Sequence, residues 1–78
     1  MVYKRLVKIL SEIIGIDYDD ITPETELTID NGIEAIDVAK LVIECENNFK
    51  ITIHDEDVHT FKCVNDIVKY IEKIKSDI

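Results

Sequence analysis

Seventy-eight residues, 46% of them hydrophobic, suffice for one small domain with its own core, so residues 1–78 are read as a single unit and not as a disordered tail. Seventeen acidic residues against nine basic ones give a formal charge of −8, which disfavours nucleic acid and anionic membrane surfaces and favours partners presenting lysine or arginine patches. No stretch approaches the length of a membrane span, and "MVYKRLVKIL" is broken by charge and lacks a small-residue cleavage pattern, so a cytoplasmic protein without leader or anchor is expected.

Residues 2–14, "VYKRLVKILSEII", put Tyr3, Leu6, Val7, Leu10, Ile13 and Ile14 at helical spacing, with Lys4, Arg5, Lys8 and Glu12 opposite. This predicts an amphipathic helix, stopped by Gly15 as a C-cap. From Ile16 to Ile33 the periodicity lapses around Pro23 and a set of Asp, Asn and Thr residues, which predicts a long loop. A loop of that length must pack against the body, and Ile16, Ile21, Leu27 and Ile29 are spaced to do so.

A second helix is predicted from about residue 35 to 48, with Val38, Leu41, Val42, Cys45 and Phe49 on one stripe and Ile36, Ala39 and Ile43 beside it. That apolar arc is wider than one core face needs. It fits burial between several helices, or an outer edge left to meet a partner, and Ile36 with Ile43 are the residues that distinguish the two. "KITIHDEDVHTF" begins like a strand at Ile51 and Ile53, but its acidic run suits a first helical turn, so a connector and one or two turns of helix are expected. Finally "VNDIVKYIEKIKSDI" places Val64, Ile67, Val68, Ile71 and Ile74 at helical spacing, with Lys69, Lys73 and Lys75 toward the negative end of the helix dipole. The plan is all-α: three main helices, one short helix, and a long loop between the first two helices.

Few constellations could carry chemistry. His54, His59 and Cys63 match no metal spacing, and so small a domain can hardly enclose a Cys/His nucleophile, so no catalytic residue and no metal site is expected. Cys45 and Cys63 are expected as reduced thiols. The acidic runs at 17–20 and 55–57 depart from the calcium-loop order, since Ile21 takes the fifth ligand position and no glycine follows. The junction "DNGIEAID" is different. A helix start collects unsatisfied amide donors and the positive end of the dipole, a setting in which a serine could carry a phosphodiester-linked group. Position 35 has that setting, but its residue is alanine.

The series "ITPETEL", "DNGIEAIDVAKLVIECENNFKITI", "HDEDV" and "CVNDIVKYI" resembles, in order and at unbroken spacing, the acyl carrier proteins. These belong to the phosphopantetheine-binding carrier family, with its D-L-G-x-D-S-L-D-x-V-E-L-V helix start, P-D-E-D-A turn and T-V-x-D-x-V-x-Y-I last helix. The resemblance covers nearly the whole chain. It implies a four-helix carrier bundle, not an enzyme, that presents thioester-bound acyl or aminoacyl intermediates on a 4'-phosphopantetheine arm in fatty acid, polyketide or nonribosomal peptide biosynthesis. It also implies partners with basic docking patches: a phosphopantetheinyl transferase and acyl- or aminoacyl-loading and transferring enzymes. A monomer is expected.

The family's attachment serine is matched by Ala35, so the resemblance implies no cofactor for the chain as written and 4'-phosphopantetheine if residue 35 is serine in the native protein. Glu34, Ile36, Asp37, Ile43, Glu44 and Glu46 are the implied partner-binding residues. Glu34 replaces the family's Asp, Ile36 its Leu, Asn31 the Leu before glycine, His54 the Pro, and Lys40 a usual Glu. An engineered serine-to-alanine change and a natural loss both fit Ala35; in the second case the chain is a cargo-free interaction or regulatory module that keeps the carrier surface. Asn31 with Glu34 three residues on resembles a capping pair for the second helix. The excess negative charge strains the fold by self-repulsion. Thermal melts are therefore expected to shift upward with added salt or magnesium; an unchanged midpoint would contradict this.

Overall fold

The computed structural model describes residues 2–76. Helices form where apolar residues recur at helical spacing: α1 (Val2–Ile14), α2 (Ala35–Phe49), the one-turn α3 (Asp55–Val58) and α4 (Val64–Ser76). Asp77 and Ile78, the end of the sequence-predicted last helix, lie outside the described residues. Helix α1 packs on both α2 and α4, burying Leu6, Val7, Ile9 and Leu10 and leaving Lys4, Arg5, Lys8 and Glu12 exposed. Leu41, Cys45, Val64, Ile67 and Ile71 meet that face from the other two helices. Each buried large aliphatic side chain stabilises the fold by about 1.5–3 kcal/mol relative to its exposed form. Gly15 ends α1 in the left-handed region (φ 74), its N–H donating to Ser11 O at 2.9 Å.

The loop between α1 and α2 is less irregular than its sequence suggests. It contains two short 3-10 turns, Tyr18–Asp20 and Ile29–Asn31. Ile21 is buried, and Ile16 and Leu27 are half-buried against the core. Ile29 departs from expectation: it is 74% exposed, and Ile33, at 2%, is buried instead. The reason is the left-handed Gly32 (φ 77), which reverses the chain after the second turn while Ile33 N–H bonds back to Thr28 O at 3.0 Å. The inward position thereby moves four residues along.

The same loop is fastened to the start of α4. Leu27 N–H donates to Lys62 O (2.9 Å), Val64 N–H to Thr25 O (3.0 Å) and Asn65 N–H to Pro23 O (2.9 Å). Two donors at the start of α4, which a helix cannot satisfy internally, are thus taken up by loop carbonyls. Asp66, the third residue of α4, accepts from Lys62 N–H at 2.9 Å and Cys63 N–H at 3.2 Å. The Lys62 bond foremost holds its carboxyl below the usual range, against a smaller opposing effect of burial. Helix α3 is tied to α4 by the Tyr70 hydroxyl, which donates to Asp57 Oδ2 at 2.8 Å, and Phe61 packs edge-on against the Tyr70 ring, 5.2 Å between centroids. Burial, then the Asp57 bond, pushes the Tyr70 hydroxyl up.

Replacing Asp66 by alanine should lower stability by about 1 kcal/mol, the usual worth of a helix-start cap. Because the folded carboxyl titrates below its unfolded value, this contribution is complete above the ordinary carboxylate pKa of ~4 and disappears as pH falls through the depressed one. Urea melts of both proteins across acidic pH would check it; a difference that persists unchanged to the lowest pH would count against the assignment.

Candidate functional site at the start of α2

Glu34 precedes α2 in extended backbone (φ −95, ψ 167) and serves as its N-cap residue. Its carbonyl accepts Asp37 N–H at 3.0 Å and Val38 N–H at 3.1 Å, and its own N–H donates to Asp37 Oδ2 at 3.0 Å. A carboxylate at the third helical position thus closes the first turn and sits at the positive end of the dipole. The expected Asn31–Glu34 capping pair is not formed. Asn31 lies in the 3-10 turn and its Nδ2 donates to Glu26 O at 2.7 Å. Gly32 and Ile33 separate that turn from α2, so the capping relation shifts to Glu34 and Asp37 at the same i, i+3 spacing.

Ala35 is the first residue of α2 and is exposed. The junction therefore presents residue 35 to solvent on a capped, fixed helix start. A methyl group has no oxygen to esterify, so a 4'-phosphopantetheine arm does not fit position 35 with this residue in place.

Beyond Ala35, α2 shows two faces. Leu41, Cys45 and Phe49 are buried in the core, and Val38 and Val42 are half-buried. Ile36 and Ile43 are 62% and 55% exposed, one on each side of Lys40 along the outer face. Burial between helices, the first account of the wide apolar arc, does not hold for these two: α1 packs on α2, yet Ile36 and Ile43 remain open to solvent. Glu34 and Glu44 are exposed. Asp37 and Glu46 are half-buried and carry internal bonds, Asp37 to the Glu34 N–H and Glu46, through Oε2, to Ile53 N–H at 2.8 Å. The Glu46 bond fixes the connector after α2 so that Ile53 enters the core. Burial, with smaller contributions from the charges of Glu44 and Glu46, pushes the Cys45 thiol up to about 12, which keeps it protonated and unreactive.

Between α2 and α3 runs a groove of about 440 Å³, lined by Ala39, Val42 and Ile43 on one side and Ile53 and Val58 on the other. Sequence reasoning did not assemble this groove. Val58 was the available signal, an apolar residue closing an otherwise acidic "DEDV" turn. His54 and His59 are exposed at the two ends of α3, and Cys63 is half-buried. Among the described residues no group of three or more His, Cys, Asp or Glu side chains is arranged to hold a metal ion. No helix among them is long and apolar enough to cross a membrane.

Comparison with known proteins agrees with this architecture. The family described as "Phosphopantetheine attachment site" matches residues 4–71, which includes the start of α2 and all of α3. The acyl carrier protein of Phytoplasma mali (strain AT) is 36% identical over 73 residues, spanning 94% of this chain and 87% of that protein. Bundle, junction and relatives together make the chain a member of the phosphopantetheine-attachment family of acyl carrier proteins.

Proposed function

We propose that this chain is a carrier-type protein of acyl- or aminoacyl-thioester biosynthesis that docks partner enzymes through the outer face of α2 and, with alanine at position 35, does so without a phosphopantetheine arm. Support comes foremost from the exposure of Ile36 and Ile43 on the helix that Ala35 begins. Two large aliphatic side chains on the outside of a small acidic domain are poor for solubility and suited to the desolvated centre of an interface. Glu34 and Glu44 would meet basic residues at its rim, where charge speeds and orients encounter more than it adds affinity. Asp37 and Glu46 contribute their charge while their internal bonds hold α2 in shape. Lys40, between the two isoleucines, reverses the local sign and would select partners whose basic patch is interrupted there. The chain's own role is docking rather than catalysis, with presentation of cargo requiring serine at position 35, and partners include a phosphopantetheinyl transferase and loading or transferring enzymes.

The methyl of Ala35 favours a second reading, a cargo-free interaction or regulatory module. Substituting Ala35→Ser separates the two. Residue 35 is exposed and Ser differs from Ala by only a few tenths of a kcal/mol of helix propensity, so the variant should fold as the parent does. Incubated with coenzyme A and a phosphopantetheinyl transferase, Ala35→Ser should gain the mass of one arm by intact-mass spectrometry, and the Ala35 chain should gain none. Failure of a folded Ala35→Ser protein to be modified by several transferases would overturn the carrier reading and leave the cargo-free module.

A further inference from the structure

The turn that leads into α2 contains the Asn-Gly pair Asn31–Gly32, with both residues exposed. We infer that Asn31 is a self-modification site gated by this turn: when Ile29–Asn31 opens, the Gly32 backbone nitrogen attacks Asn31 Cγ and deamidates the side chain.

The step balances without a cofactor. A bond forms between Gly32 N and Asn31 Cγ, the Cγ–Nδ2 bond breaks, and Nδ2 leaves as ammonia, carrying the proton that Gly32 N gives up to solvent base. Water then adds to either carbonyl of the five-membered imide. Opening at one carbonyl leaves an ordinary aspartate in place of Asn31; opening at the other gives an isoaspartyl link with an extra methylene in the backbone. The net change is amide plus water to carboxylic acid plus ammonia. Glycine suits the nucleophile because no Cβ shields its nitrogen, and around Gly32 nothing lies within 4 Å of the place a Cβ would occupy.

In the folded turn both reacting groups are engaged by other partners. Asn31 Nδ2 is held by Glu26 O at 2.7 Å and Gly32 N–H by Ile29 O at 2.9 Å. A 3-10 backbone has ψ of roughly −20 to −30°, and closing the imide ring requires rotation away from it, which breaks the Ile29–Gly32 bond. Ile33 is the lock on that motion, being 2% exposed and bonded to Thr28 O at 3.0 Å. The site matters because of its place. In the aspartate product an acceptor replaces the donor that held the Glu26 carbonyl, and a new negative charge stands in the turn that precedes Glu34 and α2.

Peptide mapping of protein aged in mildly alkaline buffer tests both halves. In the guanidinium-unfolded chain, Asn31 should convert ahead of Asn47, Asn48 and Asn65; conversion no faster than those three would overturn the site. In the folded protein it should be markedly slower than in guanidinium, and Ile33→Val, which trims the lock by one methylene, should accelerate it about 2- to 10-fold. Equal rates folded and unfolded, or no acceleration in a folded Ile33→Val protein, would overturn the gate. Asn31→Gln should abolish the signal, and a signal that survives this change would place the chemistry elsewhere.

Discussion

The position of α2 depends on how the loop before it is held, and the loop is held by backbone hydrogen bonds to a different helix. A segment this long carries many peptide groups that need partners, and the start of α4 has amide donors with none inside the helix. Each satisfies the other: the carbonyls of Pro23 and Thr25 accept from Asn65 and Val64, while Leu27 N–H reaches Lys62 O. Ile21 then joins the loop to the core, and Ile33 is buried just before α2. Between them the chain has little freedom, and residue 35 emerges at one place on the surface.

From that fixed start, α2 divides its apolar residues between two tasks. Leu41, Cys45 and Phe49 complete the core with α1, whereas Ile36 and Ile43 do nothing for it. The acidic residues divide similarly. Asp37 closes the first turn and Glu46 ties down the connector, while Glu34 and Glu44 are the exposed carboxylates among the four. Two of the seventeen acidic residues thus serve local structure here, while Glu34 and Glu44 stand exposed on the helix that carries Ile36 and Ile43. Ala35 begins the same helix and is exposed, so the proposed docking face and the absence of a nucleophile belong to one element.

The helices were legible because their signal is periodic and local: apolar residues three and four apart mark α1, α2 and α4, and Gly15 marks an end. The setting of residue 35 was legible for the same reason, as the first residue of a helix. What the pattern could not supply was set by distant partners. Ile29 and Ile33 look alike in sequence, and only the reversal at Gly32 decides which is buried. Asn31 is a good cap by type, but Glu26 O engages its amide, and the capping relation passes to Glu34 and Asp37. The groove between α2 and α3 joins residues from Ala39 to Val58 across a connector, which no short window of sequence brings together.

The central claim is that the outer face of α2 is a docking surface rather than residual core, and titration calorimetry with a phosphopantetheinyl transferase tests it most directly. Ile36→Ala and Ile43→Ala should each weaken binding by about 1 kcal/mol or more, roughly fivefold or greater, while thermal stability changes by less than about 0.5 kcal/mol because both residues are exposed. Glu12→Ala on the exposed side of α1 should leave affinity unchanged. Unaltered binding by both isoleucine variants, or a loss of stability in place of a loss of affinity, would contradict the account.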